Sequence, residues 1–269
     1  MRTAILFRFH KKPNVCRNRL KLLRQLNPAV PIYALYGGTK ADEKAMQKAT
    51  GRYLERWYRI PTSSSKWKWL HSDLAARGWF QKVGKKVAFD RLHIIEWDLL
   101  TLAPLQKLYG ALDNKTVALT GLVPLKQVEH RWYWTTKEPY KSQWRKLLIW
   151  ARQNHNYRVK PFSSVGPGAS LPRVFFERYA AIQVPELVHD ELRLPLFAQL
   201  FGLKLKDTGF FKRSTVAKPN RAEHFYFNCH NHLVSLTTIK RELAKARGRR
   251  VFHPFRAIFP AQVVRRSEN

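Results

Sequence analysis

The sequence predicts an α/β fold: one domain with a mostly parallel central sheet flanked by helices. Three observations lead there. Strand-like and helix-like segments alternate through the first half, the pattern of a parallel sheet with crossover helices. The chain has 269 residues, 45% hydrophobic and 13% aromatic, which is ample material for a core. No short repeat and no Pro/Gly/Ser-rich linker interrupts it, which excludes coiled-coil, collagen-like and repeat architectures.

The elements follow in order. Residues 3–9, TAILFRF, read as the first strand. From Asn14 to Leu26 the apolar Val15, Leu20, Leu22, Leu23 and Leu26 leave Arg17, Arg19, Lys21 and Arg24 on other faces, so this stretch reads as an amphipathic helix. Asn14 is its expected N-cap, and Asn27-Pro28 ends it because proline disfavours helical geometry in the preceding residue. Residues 30–36 form a second strand, closed by Gly37-Gly38. A helix over 41–50, a strand over 53–60 and one helix over 66–82 come next. A buried strand over 90–96, a helix near 104–112 and a strand near 116–122 complete the regular half. The second half is less regular, with helices near 142–154, 171–182 and 190–201 and a late strand over 250–256. Gly166-Pro167-Gly168 reads as a tight loop between them.

Lys and Arg number 50 against 18 Asp and Glu, a net charge of +32. The excess is spread along the chain and not confined to one arm. Such a field attracts nucleic acid, anionic lipid, acidic glycan or a nucleotide. It sets the sign of a partner and not its identity. No zinc-finger spacing, GXXG loop or RNP-like strand marks a nucleic-acid module. Two cysteines, Cys16 and Cys229, cannot build a disulfide framework and point to a reduced, intracellular protein. No apolar run approaches a membrane span, and the N-terminus lacks the core and cleavage site of a signal peptide. The expected location is cytoplasmic, or peripheral at an anionic membrane surface.

The most informative stretch is HIIEWDLL, residues 93–100. A strand here runs into two carboxylates, Glu96 and Asp98, one residue apart. Open α/β sheets bind ligands at such strand ends. Bare buried carboxylates are too costly to keep, so these two face solvent, pair with basic side chains, or hold a cation. The plainer alternative has Asp98 capping the next helix and Glu96 paired with an Arg or Lys.

The segments ILFRFHKKPNVCRNRLKLLRQLNPAVPIYALYGG, KWLHSDLAARGWF and HIIEWDLL, with GPGASLPR, HDELRLPLFAQLFG and VFHPFR later in the chain, resemble a bacterial family of GT-A-type glycosyltransferase-like proteins. The resemblance implies a Rossmann-like, nucleotide-diphospho-sugar transferase fold. Residues 1–125 would be its nucleotide-sugar half, 126–260 its acceptor half and 261–269 a basic tail. It implies transfer of a sugar from a nucleotide-diphosphate donor to the hydroxyl of a glycan or lipid-linked acceptor. Glu96 and Asp98 match the acidic pair that holds Mn²⁺ or Mg²⁺ on the diphosphate, with Glu replacing the usual first Asp. His253 matches a third metal ligand, or is a structural histidine at a strand end. Phe9 and His10 stand where this fold places the nucleobase and ribose. Asp73 resembles a polar group that contacts the nucleoside, or is a helix-surface residue.

Asp190 and Glu191 match the acidic pair on the acceptor side, where a carboxylate removes the acceptor proton. Glu191 is the better base, because Asp190 is the natural helix cap. Alternatively both are first-turn acids, favoured by the helix dipole by about 0.3–1 kcal/mol. The Gly166–Ser170 segment resembles a glycine-rich acceptor-side loop, with Pro167 as a departure from it.

His224, Cys229, His230 and His232 offer metal-ligand chemistry without zinc spacing. Cys16 lies among basic residues that could lower its pKa, or is an ordinary core thiol. Trp132 and Trp134 alternate with Tyr133, either as strand packing or as an aromatic shelf for a sugar ring. Two other readings stay open: a basic nucleic-acid-binding protein without catalysis, and a GT-A-like fold that binds nucleotide sugar without turnover.

Overall fold

A computed structural model of the chain describes residues 1–213, 224–230 and 232–260. The expected tail, 261–269, lies outside the described residues. The order is β1 (Thr3–Phe9), α1 (Pro13–Leu26), β2 (Ile32–Tyr36), α2 (Lys40–Thr50), β3 (Arg56–Arg59), α3 (Ser65–Leu70), α4 (Ser72–Lys82), β4 (Arg91–Glu96), β5 (Leu100–Thr101), α5 (Leu105–Tyr109) and β6 (Thr116–Pro124). Then come α6 (Tyr133–Thr136), α7 (Tyr140–His155), β7 (Phe162–Pro172), α8 (Arg173–Ala181), α9 (Asp190–Leu200), β8 (Lys204–Asp207), α10 (Leu236–Leu243) and β9 (Val251–Phe252).

One seven-stranded sheet takes strands from both halves of the chain, in the order β3-β2-β1-β4-β7-β6-β8. β3, β2, β1 and β4 run parallel, as do β6 and β8, and only β7 runs antiparallel to its neighbours. The expected α/β class, a mostly parallel sheet flanked by helices, is what the chain adopts. β1 shows why. Its residues alternate, so Ala4 and Leu6 pack into one core layer with Trp79, Phe80 and Phe176. Ile5, Phe7 and Phe9 pack into the other, with Val15, Leu20 and Leu23 of α1. A strand buried on both faces needs this covering by helices.

Several elements depart from expectation. Helix α1 starts at Pro13, with Lys12 and not Asn14 as its N-cap residue. Proline suits the first helical position because its missing N–H would have no helical partner. The single helix expected over 66–82 breaks at His71 (φ −128°, ψ 46°) into α3 and α4. There the Leu70 carbonyl accepts from Arg193 Nη2 at 3.0 Å. The late strand shrinks to two residues, because Pro254 has no N–H for the ladder. Trp132-Tyr133-Trp134 enters a four-residue helix, not a strand.

Gly166-Pro167-Gly168 is not a loop between elements. It lies inside β7, as a bulge. The pairing with β6 jumps from Ala118↔Ser170 to Thr120↔Val165, so extra β7 residues loop out opposite β6. Gly168 has φ +84°, and a Cβ there would come within 3.1 Å of the Phe210 ring. Among the described residues, no helix is long and apolar enough to cross a membrane.

Candidate active site

The strand order reverses direction at β1. The chain passes from β1 to β2 and β3 on one side, then returns to lay β4 on the other. At such a switch point the loops leaving the carboxyl ends diverge and open a crevice, the ligand site of open α/β sheets. A cavity of about 860 Å³ opens there. Arg8, His10, Glu96, Asp98, His253 and Arg256 line its strand-end wall. Trp134, His189, Asp190, Glu191 and Arg213 line the opposite wall.

On the strand-end wall, each carboxylate faces a cation. Arg8 and Glu96 are register partners on β1 and β4, with Arg8 Nη1 3.9 Å from Glu96 Oε1. Glu96 Oε2 accepts from the Gly168 amide at 3.2 Å. Burial outweighs these contacts and pushes the Glu96 carboxyl up to about 7. Asp98 precedes β5, not a helix, so it caps none. Arg256 Nε donates to its Oδ2 at 3.0 Å, and His253 Nε2 lies 3.7 Å from Oδ1. Burial alone would raise the Asp98 carboxyl, but His253 and Arg256 overcome it and hold the group well below the usual range. His253 Nδ1 donates to the Asn228 carbonyl at 2.7 Å. A carbonyl only accepts, so Nδ1 carries a proton and Nε2 is the nitrogen turned to Asp98. His10 is solvent-exposed, and its partial desolvation, with Lys11 and Arg8 beside it, lowers its pKa. That ring sits edge-on to Trp97, 5.6 Å between centroids.

The helix wall is built differently. Both oxygens of Glu191 are met by N–H donors: Trp134 Nε1 at 2.6 Å and the Gly166 amide at 2.9 Å. Asp190 is buried, takes the Ser72 hydroxyl, and lies 2.8 Å from His189 Nδ1. The His189 ring stacks on Trp134 at 4.3 Å and 14°. Burial lowers the His189 pKa, but Asp190 and Glu191 prevail and raise it. Its Nδ1 also accepts the Glu191 N–H at 3.2 Å, so in the neutral ring His189 is the N-cap of α9. Trp69 and Tyr133, each 51% exposed, flank this aromatic wall.

The cavity thus gathers His10, Glu96, Asp98, Asp190, Glu191 and His253. Two expected site residues are corrected. Phe9 is fully buried and packs on Tyr36 and Trp57, because alternation along β1 turns its ring away from the side Arg8 takes. Asp73 is neither a nucleoside contact nor a surface residue. It is buried in an ion pair with Arg193, whose Nε donates at 2.8 Å, and it accepts the Tyr179 hydroxyl at 2.5 Å.

The expected metal ligands also fail a test of fit. Among the described residues no group of three His, Cys, Asp or Glu is placed to hold a metal ion. Asp98 and His253 are close, but Arg256 already occupies Asp98, while Glu96 is tied to Gly168 and faces Arg8. The set Glu96, Asp98, His253 is therefore two cation-neutralised carboxylates with a histidine, not an assembled site for Mn²⁺ or Mg²⁺. The second candidate set fares no better. His224 and His230 stack at 5.8 Å and line the cavity with Cys229, without a metal-holding group. Burial pushes the Cys16 thiol up to about 12, the opposite of activation.

Sequence reasoning missed Arg8, Arg256 and His189. Arg8 was detectable from strand phase: if Phe9 packs in one core layer, its neighbour faces the other side. Arg256 gave no local signal, since it meets Asp98 across 158 positions of sequence.

No protein-family model matches the chain, and no curated protein matches it. Among solved structures it is similar to the galactosyltransferase LgtC in complex with donor and acceptor sugar analogs, at 10% identity and TM-score 0.40, covering 76% of this chain and 72% of that one. It is also similar to the bifunctional glycosyltransferase WbbM, at 10% identity and TM-score 0.44, covering 77% of this chain and 38% of that one. A third is the 4-diphosphocytidyl-2C-methyl-D-erythritol synthase of Anaerococcus prevotii, at 12% identity and TM-score 0.41, covering 77% of this chain and 88% of that one. Likeness at this level says nothing of donor, acceptor or activity.

Proposed function

We propose that the chain transfers a sugar from a nucleoside-diphosphate donor to a hydroxyl of a glycan or lipid-linked acceptor. One observation carries the reading: the crevice at the β1/β4 switch point has a charged strand-end wall and, facing it, a carboxylate held by two N–H donors. The His10 ring, edge-on to Trp97, suits a nucleobase or ribose on the strand-end side. Glu191 suits the role of base. Its two donors fix its direction, and its oxygens keep lone pairs to receive a proton.

In the proposed step the acceptor oxygen forms a bond to the anomeric carbon. Its proton passes to Glu191. The bond between that carbon and the phosphate oxygen breaks, and its electron pair leaves with the nucleoside diphosphate. Tyr133 and Trp69 at the helix wall offer apolar faces to an acceptor ring.

The test is release of nucleoside diphosphate from UDP-, GDP-, CDP- and ADP-sugars in the presence of glycan or lipid-linked acceptors. Glu191→Gln should lose turnover while keeping nucleotide affinity. Nucleotide-sugar binding without product would identify a binder without turnover. Salt-sensitive binding of DNA or RNA alone, with no nucleotide bound, would overturn the reading in favour of a nucleic-acid protein.

A further inference from the structure

We propose that the negative charge of the donor's diphosphate, and of the diphosphate that departs, is met by the guanidinium groups of Arg8 and Arg256 and needs no bridging divalent cation. The inference rests on the sugar-transfer reading above.

Three observations carry it. First, each strand-end carboxylate already has its own cation: Arg8 beside Glu96 at 3.9 Å, and Arg256 on Asp98 at 3.0 Å. A bridging ion would have to displace Arg256 from Asp98 and enter beside Arg8. Second, both arginines are anchored by contacts that hold them at the cavity wall. Arg8 Nη2 donates to the Lys68 carbonyl at 3.1 Å, and the Arg256 guanidinium lies 5.9 Å from the Trp97 ring centre. Guanidinium held this way is a planar fork suited to two phosphate oxygens at once. Third, the two come from opposite ends of the sequence and converge on one crevice, at the strand ends where a diphosphate is expected to lie. Glu96 and Asp98 then act as positioning residues. They aim the arginines and yield part of that pairing to phosphate when the donor enters.

The experiment is titration calorimetry of the full chain with UDP, GDP, CDP and ADP, in excess EDTA and again with Mn²⁺. The expected result is one nucleotide that binds in EDTA with an affinity within about threefold of its value in Mn²⁺. Arg8→Ala and Arg256→Ala should each weaken it by about tenfold or more, the loss of a charge-assisted phosphate contact. Arg256→Lys should recover part of the affinity, which a merely structural role for Arg256 would not produce. Binding that appears only with Mn²⁺, and falls further in Asp98→Ala than in Arg256→Ala, overturns this inference and leaves sugar transfer standing. Absence of binding by all four nucleotides in both conditions overturns the sugar-transfer reading and this inference together. The wild-type comparison alone decides the matter if a variant fails to fold.

Discussion

The cleft has two acidic pairs, and their partners differ: arginines at the strand ends, a histidine and N–H donors at the start of α9. Glu96 and Asp98 face cations, Arg8 and Arg256. Glu191 takes an N–H donor on each oxygen, from Trp134 and Gly166, with His189 Nδ1 3.9 Å from Oε2. A carboxylate paired with a cation can hand that cation to an incoming anion. One held by N–H donors is oriented but keeps its charge, so it can take a proton. Within the first pair the environment divides the members again, with Glu96 raised to about 7 and Asp98 held low. Neighbours of different pKa are how one site holds groups in two protonation states.

The largest expected effect breaks this contrast at the helix wall. Glu191→Gln should lower turnover by roughly 10²–10⁴-fold, the usual worth of a general base, in a transfer assay. Nucleotide affinity measured alongside should not change. Next is the buried pair beneath that wall. Asp73→Ala strands Arg193, and losing one partner of a buried ion pair costs about 3–5 kcal/mol, measurable by urea unfolding. Arg193 also holds the Leu187 and Leu70 carbonyls, so this loss should loosen the N-terminus of α9.

The third prediction concerns pH. The Glu96 carboxyl, ordinarily near 4.5, is raised to about 7 in the folded chain. Between those values the folded state binds a proton that the unfolded state has released. Stability therefore falls as pH rises through that window, by up to about 3 kcal/mol at 1.36 kcal/mol per pKa unit. Glu96→Gln lacks this loss. Relative to wild type it should gain stability between pH 5 and pH 8 in urea titrations, and an unchanged difference would refute the assignment. The smallest effect is Trp134→Phe. It removes the donor to Glu191 but keeps most of the ring, for about 1–3 kcal/mol of stability.

The strand ends were legible in the sequence because β4 carries its signal locally: an apolar run, then Glu96 and Asp98. The helix wall was half legible. HDELR marks a helix start, but the stacking of His189 on Trp134 joins residues 55 positions apart in sequence. The failures share that cause. Asp73 looks like a surface residue of an amphipathic helix until Arg193 and Tyr179 arrive from α9 and α8. The break at His71 has the same origin, since Arg193 takes the Leu70 carbonyl. The glycine-proline bulge read as a loop because its composition is that of a turn. Only the pairing of its flanks, residues 169–172 with β4 and Val165 and Ser170 with β6, makes it part of a strand.

That bulge has one more consequence. The Gly166 amide holds Glu191, and the Gly168 amide, two residues on, holds Glu96. The two walls are thus gauged from a single short span of backbone, like the jaws of a caliper fixed to one bar. Two extended residues cover at most about 7 Å. A residue inserted between Gly166 and Gly168 would reset the jaws, moving the anchors of Glu191 and Glu96 relative to each other.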